Sequence, residues 1–370
     1  MMEKKKLVVI GANDFQNQLI LKAKQRGMET FVFAWKDGAI GEKTADHFYP
    51  ISILEKEEIL KECKKIKPDG VISIASDLAS ITVNYIAEEL GLTGNGVNSA
   101  KIATDKYLMR KAFAERKDPS PWFCRSDKLT DEDVRNMKFP VIVKPVDRSG
   151  SRGITKVLFE RELNQAIQEA EKVSFARQAI IEEYVEGEEF SVEYISYHGK
   201  HVFLALTKKF TTGAPHYIET GHMEPASVKT DTLDRIKRMI PHALDTLEIK
   251  NGASHSEIKI NDKGEIVIIE IGGRMGGDCI GSDLVQISTG YDFVNMVIDV
   301  SCGIEPKFNK ICEPAFAEVH FIFNEEDMEK LEELKRTAPE TIYRISEIEP
   351  LENREILDSS TRYGYYITRN

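Results

Sequence analysis

Short apolar runs alternate with amphipathic stretches over the first hundred residues. The apolar runs end near glycine or polar turn residues, and the stretches between them have the three- and four-residue apolar spacing of helices. The predicted strands are 7–10, 30–34 and 71–75, and the predicted helices are 16–25, 56–65 and 81–90. Strands that alternate with helices predict a parallel sheet with crossover helices, so this segment is expected to be an α/β unit.

The pattern changes after this unit. A helix is predicted over residues 99–115, with Ser99 as its N-cap. Residues 141–145 form a predicted strand that runs into a loop rich in Gly, Ser and Arg. Residues 190–196 alternate apolar and polar positions and are predicted to pair with residues 201–207 as a hairpin. Such antiparallel pairs indicate an α+β unit.

The charge balance excludes several classes of partner. The 370 residues include 50 Lys and Arg against 61 Asp and Glu, a formal net charge of −11. Because an acidic surface repels nucleic-acid phosphates and anionic lipids, we expect neither a nucleic-acid nor a membrane partner. No apolar run approaches the ~20 residues that span a bilayer. The five scattered cysteines lack a Cys-x-x-Cys pair, which is typical of reduced thiols in a cytoplasmic protein.

Lys144 is the first candidate for phosphate chemistry. It lies near the end of a predicted strand, and the loop that follows, residues 147–153, contains two glycines, two serines and two arginines. Backbone N–H groups of such a loop can surround phosphate oxygens, and the lysine ammonium can reach them. No Gly-Lys-Ser/Thr follows the glycines, so the loop is not a Walker A motif. A solvated hairpin loop fits the same residues.

The segment 182–189 is strongly acidic, with five glutamates in eight positions. A charge run of this kind is usually a solvated face. The functional alternative is an interdomain hinge, in which the backbone of residues 183–185 meets an adenine edge and Glu189 binds ribose hydroxyls. The residues alone leave both interpretations open.

Glu257 and Glu270 are the strongest candidates for a metal site. They lie thirteen positions apart on two predicted strands joined by an Asn-Asp-Lys-Gly turn, so the hairpin can place both carboxylates on one face. Glu270 lies inside the apolar run 266–271, where a carboxylate is costly unless it is paired or metal-bound. Paired carboxylates suit Mg²⁺ held against nucleotide phosphates. Arg274, four residues on, is placed to neutralise a phosphoryl or oxyanion group.

The order of these motifs, a loop lysine, an acidic segment and a carboxylate hairpin followed by arginine, resembles the ATP-grasp fold. The resemblance covers residues 1 to about 305 and implies a mixed α/β and α+β architecture with an N-terminal pre-ATP-grasp parallel-sheet domain. It implies ATP and Mg²⁺ as ligands, with Mn²⁺ as an alternative metal. The implied nucleotide ligands are Lys106, Lys144, the lid residues Ser149, Gly150, Ser151 and Gly153, and the hinge residues Glu182, Glu183, Tyr184, Val185 and Glu189. The implied metal ligands are Glu257 and Glu270.

The same resemblance implies a division of the chain into four parts. These are a pre-ATP-grasp α/β domain (1–100), a linker helix with the lid subdomain (101–183), a larger subdomain with the metal hairpin (184–310), and a C-terminal tail that packs on the ATP-grasp domain (311–370). ATP is expected between the second and third parts, with the substrate facing the first.

Within the superfamily, the sequence is most similar to carboxylate–amine ligases, a group that includes bacterial L-amino-acid (dipeptide) ligases. The likeness is carried by residues 219–222, 252–257, 270–278 and 358–366. It implies that Glu219 and His222 border the acceptor and acyl-phosphate pocket, and that Arg274 holds the substrate carboxylate and then the tetrahedral intermediate. Together with Lys144, these are the implied catalytic residues. The expected partners are small-molecule carboxylate and amine substrates, with a homodimer as a possible assembly.

One departure from the family pattern concerns the metal. Many ATP-grasp enzymes have Asn two positions after the second metal glutamate, where this chain has Gly272. The number of bound metal ions is therefore open. Two other functions stay open as well: a biotin-carboxylase-like or purine-pathway ligase of the same fold, and a non-catalytic nucleotide-binding protein.

Overall fold

A computed structural model describes residues 4–214, 217–352 and 358–370. Within these ranges the named strands form three sheets, of four, eight and four strands. No helix in the described part of the chain is long and apolar enough to cross a bilayer.

The first sheet is parallel, and helices connect its strands. Its elements are β1 (Lys6–Ile10), α1 (Asp14–Gln25), β2 (Glu29–Phe33), α2 (Ile40–Thr44), β3 (His47–Tyr49), α3 (Lys56–Ile66), β4 (Gly70–Ile72) and α4 (Asp77–Leu90). The strand order is β3-β2-β1-β4, with parallel pairing throughout. The predicted α/β unit is therefore confirmed. It forms because the strands are buried on both faces, as in Val8 and Val9, so they read as continuous apolar runs.

The prediction of one helix over residues 99–115 is wrong. The structure has two helices, α5 (Gly96–Thr104) and α6 (Lys106–Arg116). Asp105 between them is extended, with φ −100° and ψ 109°, and its side chain accepts a hydrogen bond from the Leu108 N–H. Asp105 thus ends one helix and caps the next. No proline or glycine in the sequence marks this break. Ser99 lies within α5, where its hydroxyl donates to the Leu247 carbonyl.

The second sheet is antiparallel and has α8 packed against it. The elements of this region are β5 (Phe123–Arg125), α7 (Asp131–Asn136), β6 (Val141–Pro145), β7 (Thr155–Val157), α8 (Glu160–Val173) and β8 (Ala179–Glu183). The strand order is β5-β8-β6-β7. Leu163, Ala166 and Ala170 of α8 pack on Val141 and Val143 of β6. This small core carries the loop between β6 and β7.

The third sheet has eight antiparallel strands. The elements of this region are β9 (Glu188–Tyr197), β10 (Lys200–Thr211), β11 (Glu219–Glu224), α9 (Thr230–Thr246), β12 (Gly252–Ile260), β13 (Ile266–Gly272), α10 (Val285–Thr289), α11 (Phe293–Ser301), β14 (Ala317–Ile322), α12 (Glu325–Thr337), β15 (Ile342–Ile345) and β16 (Gly364–Arg369). The order is β13-β12-β9-β10-β11-β14-β16-β15. Both predicted hairpins, β9–β10 and β12–β13, are confirmed. The C-terminal strands β14 to β16 belong to the same sheet. The predicted C-terminal tail therefore contributes strands to this sheet. The domain boundaries stay a prediction.

Candidate functional site

A cleft lies between the second sheet and the eight-stranded sheet. Most of the predicted site residues line it: Lys106, Lys144, Ser149, Gly150, Ser151, Glu182, Glu183, Tyr184, Val185, Glu189, Glu219, Glu257, Glu270 and Arg274. Gly153, the last residue of the loop, is not among the residues that line the cleft, and an added Cβ there would meet Val173 and Pro145. His222 is buried, with 1% of its surface exposed. The topology thus brings residues from the whole central part of the chain into one cleft, and their roles stay predictions.

Lys106 is the first residue of α6 and reaches the metal hairpin. Its Nζ donates to Glu270 Oε1 at 2.9 Å and to the Arg148 carbonyl at 2.7 Å. Burial opposes the charge on this lysine, but the Glu270 carboxylate and Asp77 raise its pKa above the ordinary value. The ammonium is therefore held charged at the carboxylate predicted to bind metal.

Lys144 and Glu182 form a buried ion pair with Arg110. Glu182 contacts Lys144 Nζ at 2.7 Å and Arg110 Nε at 2.8 Å, and all three side chains are almost fully buried. Burial and the nearby Arg110 lower the pKa of Lys144, although Glu182 opposes this shift. Glu182 was predicted at the adenine hinge, yet here its carboxylate is engaged by two cations. The backbone of residues 183–185 is left as the hinge candidate.

Arg110 was missed by the sequence analysis. The available signal is its spacing, because Arg110 lies four residues after Lys106 on α6 and residues so spaced share one helix face.

Lys209, in β10, is a second residue that the sequence analysis missed. Its buried Nζ lies 2.5 Å from Glu257 Oε1, 3.3 Å from Glu189 Oε1 and 3.6 Å from Glu219 Oε1. Burial opposes the charge, but the three carboxylates, Glu257 first, raise the pKa of Lys209 well above the ordinary value. The Lys209 ammonium group thus contacts three residues with different predicted roles: Glu257 for metal, Glu189 for ribose and Glu219 for substrate. A lysine within a strand gives no sequence signal for this pairing.

The metal hairpin has the predicted geometry. Glu257 lies directly opposite Glu270 in the β12–β13 register, which places both on one face. Each already contacts an ammonium group, of Lys209 and Lys106, so this face favours cations. No group of three or more His, Cys, Asp and Glu suited to a metal occurs among residues 4–214, 217–352 and 358–370. Two carboxylates suffice for Mg²⁺ when phosphates and water complete its coordination, so these residues fit a nucleotide-bound metal.

Gly272 leaves room for an ion pair that the sequence did not reveal. Arg274 donates from Nε and Nη2 to the two carboxylate oxygens of Asp77, at 2.7 and 2.9 Å. Asp77 begins α4, so this pair joins the parallel-sheet unit to the cleft. A Cβ at Gly272 would lie 3.0 Å from Asp77 Oδ1 and 3.2 Å from the Arg274 guanidinium carbon. An Asn side chain at this position would therefore meet the Arg274–Asp77 pair.

His255 and Glu193 form a buried pair beneath the loop that carries Arg274. His255 Nδ1 contacts Glu193 Oε1, and its Nε2 lies 3.5 Å from Glu257 Oε1. The Gly276 N–H donates to Glu193 Oε2 at 3.2 Å. Burial opposes the charge, but Glu193 raises the pKa of His255 to about 9. The pair therefore supports both the hairpin and the loop.

His222, Asp278 and Arg362 form a polar cluster beside Glu219, which lines the cleft. His222 Nε2 lies 4.0 Å from Asp278 Oδ2, and burial lowers the His222 pKa although Asp278 opposes the shift. Arg362, near the C-terminus, donates to both Asp278 oxygens at 3.0 and 2.6 Å. The Arg362–Asp278 pair has no signal in the sequence beyond the likeness of the C-terminal segment to the ligases.

Comparisons with known proteins support an ATP-grasp fold. Residues 137–283 match the model of the ATP-grasp domain family. Alanine–anticapsin ligase from Bacillus subtilis is 27% identical over 302 residues, covering 72% of this chain and 63% of that protein. The chain thus spans less than two thirds of that relative.

Two solved structures share the fold. An L-amino acid ligase from Bacillus licheniformis aligns with TM-score 0.83 and 21% identity, covering 100% of this chain and 94% of that chain. A phosphoribosylglycinamide synthetase from Anaerococcus prevotii aligns with TM-score 0.78 and 22% identity, covering 99% and 94%.

Proposed function

We propose that this chain, whose residues 137–283 match the ATP-grasp domain family and whose structure has the ATP-grasp fold, is an ATP-dependent carboxylate–amine ligase. It would form an amide bond through an acyl phosphate and release ADP and phosphate. The proposed substrates are amino-acid-like, since the relatives include an alanine–anticapsin ligase and an L-amino acid ligase.

The observation that carries the proposal is a set of three buried lysines, each paired with a carboxylate that lines the same cleft. The pairs are Lys106–Glu270, Lys144–Glu182 and Lys209–Glu257. Nucleotide phosphates can replace the carboxylates as partners of the lysines. Glu257 and Glu270 would then hold Mg²⁺, which supplies charge neutralisation at the phosphates.

In the first proposed step, the substrate carboxylate attacks the γ-phosphorus and ADP leaves. Lys144 and Lys209 offset the negative charge that builds up on the phosphoryl oxygens. The backbone of residues 183–185 orients the adenine, and Glu189 orients the ribose. The loop 149–153 closes over the phosphates and keeps water from the acyl phosphate.

In the second proposed step, the amine attacks the acyl carbon and phosphate leaves. Arg274 stabilises the oxyanion of the tetrahedral intermediate, while Asp77 holds its guanidinium in place. Glu219 and His222 border the incoming substrate. The reaction needs no cysteine or serine nucleophile.

ADP release tests this function. The protein is mixed with ATP, Mg²⁺ and single or paired L-amino acids, and products are identified by mass spectrometry. We expect ADP release to require both a carboxylate and an amine, and Glu270→Gln to abolish it. Glu265→Gln is the matched control, because Glu265 is an exposed residue of the same hairpin. If no carboxylate elicits ADP while ATP binds normally, the ligase proposal fails.

A purine-pathway type of ligase is the second candidate. It is favoured by the match to a phosphoribosylglycinamide synthetase. ADP release that depends on bicarbonate or on a ribonucleotide amine, and not on amino acids, would favour this candidate.

A further inference from the structure

The C-terminal segment 358–362 reaches the substrate end of the cleft. The Ser359 hydroxyl donates to Glu219 Oε2 at 2.8 Å. Arg362 Nη1 donates to the Glu219 backbone carbonyl at 3.3 Å. Because Glu219 lines the cleft, residues of this tail segment fix both the side chain and the backbone of a substrate-facing position.

Arg362 also holds the turn that follows Arg274. It binds both oxygens of Asp278, lies 3.6 Å over the Phe321 ring, and has 8% of its side chain exposed. Asp278 and the next residue, Cys279, have positive φ of 50° and 66°, a conformation that is uncommon for non-glycine residues. The two hydrogen bonds from Arg362 to Asp278 help to hold this turn.

The same tail segment contacts the lid. Asp358 Oδ2 accepts a hydrogen bond from Arg152 Nε at 3.3 Å. The neighbouring lid residue Ser151 donates to the Tyr217 carbonyl at 3.1 Å, close in sequence to Glu219. The tail segment therefore joins three parts of the substrate end: the lid, the start of β11 and the turn after Arg274.

We propose that Arg362 is a positioning residue that sets the selection and affinity of the amino-acid substrate, and not of ATP. It does so by holding Glu219 and the Asp278 turn in fixed positions relative to Arg274. This inference rests on the proposed ligase function. The guanidinium is suited to the task because its planar fork fixes a carboxylate in both distance and orientation, which a lysine ammonium does not.

The test uses hydroxylamine as the amine and each of the twenty L-amino acids as the carboxylate, with hydroxamate and ADP as readouts. For Arg362→Gln we expect the KM of the accepted amino acid to rise about tenfold or more, with the KM of ATP unchanged. Ser359→Ala, which removes only the bond to Glu219, should give a smaller rise. Arg362→Lys should recover only part of the loss.

Arg369→Gln is the matched control, because Arg369 is an exposed tail arginine that contacts the Glu313 carbonyl. An unchanged amino-acid KM in Arg362→Gln would overturn the inference. A parallel rise in the KM of ATP would also overturn it, because it would indicate a merely structural role.

Amide hydrogen exchange separates this inference from the proposed function. If the wild-type protein makes no hydroxamate with any amino acid, the ligase proposal fails on its own. Faster exchange at 219–222 and 278–284 in Arg362→Gln, with the first sheet unchanged, would still support the positioning role. Unchanged exchange in these segments would overturn it.

Discussion

Glu224, the last residue of β11, has a carboxyl group that is completely buried. It accepts hydrogen bonds from the Thr207 and Ser288 hydroxyls, both at 2.5 Å. Burial is the main cause that raises its pKa to about 7, and Glu193 adds to the rise against the two hydroxyls. A side chain far from solvent therefore titrates close to neutral pH.

Replacing Glu224 by Gln should make folding stability less dependent on pH. Since burial raises the pKa of the folded protein above the ordinary 4.5, the stabilisation from this proton is full below 4.5 and is lost as the pH rises through about 7. The loss is at most about 3 kcal/mol. Urea unfolding should find Glu224→Gln close to wild type at pH 5 and more stable at pH 8. A constant difference between the two proteins would contradict this assignment.

The sequence predicted which residues carry charge at the site better than it predicted their partners. Glu257 and Glu270 could be paired because a short turn fixes their register. Arg274 could not be matched with Asp77, since the two lie 197 positions apart and meet only through tertiary packing. Glu182 was assigned to the adenine hinge for the same reason: its partner Arg110 is distant in sequence, on a helix that the pattern did not separate from the preceding one.

At the scale of elements, the helix break at Asp105 sets the orientation of the Lys106 and Arg110 side chains. Because α6 begins at Lys106, one helix face presents Lys106 and Arg110 toward β13 and β8. Arg110 Nη2 also donates to the Ile269 carbonyl at 2.5 Å. The strands and hairpins were predictable because their polar and apolar positions repeat locally. The break was not, because it depends on an aspartate cap inside a good helical pattern.

Arg110→Gln should destabilise the protein strongly. It leaves the buried Glu182 with Lys144 as its remaining cationic neighbour among those the structure describes, and breaking a buried ion pair typically costs about 3–5 kcal/mol. The measurement is the free energy of unfolding in urea. Arg116→Gln, at the exposed end of the same helix, should stay within about 0.5 kcal/mol of wild type. An equal effect of the two substitutions on the free energy of unfolding would show that the buried Arg110–Glu182 ion pair does not stabilise the protein.

At the scale of the whole molecule, the net charge of −11 describes the surface and not the cleft. Inside the cleft, Lys106, Lys144 and Arg274 are each paired with a carboxylate before any ligand arrives. Such an arrangement can accept an anion and a cation together at lower cost than either alone. Nucleotide and metal binding should therefore be coupled.

Removal of divalent metal should weaken ATP binding. With EDTA, the phosphates must displace Glu257 and Glu270 from Lys209 and Lys106 without a cation to take the freed carboxylates. We expect the Kd for ATP, measured by calorimetry, to rise about tenfold or more. The double variant Glu257→Gln/Glu270→Gln should lose this metal dependence, and Glu265→Gln should keep it. Equal affinity with and without Mg²⁺ would refute the coupling.

The position of β16 along the chain affects the order in which parts of the site assemble during synthesis. This strand lies between β14 and β15 in the eight-stranded sheet, and Arg362 stands just before it. During synthesis, cleft residues such as Lys106 and Lys144 leave the ribosome before Arg362 and β16 do. Under the proposed function, the residues assigned to the nucleotide would therefore assemble first and the contacts of Arg362 at the substrate end last.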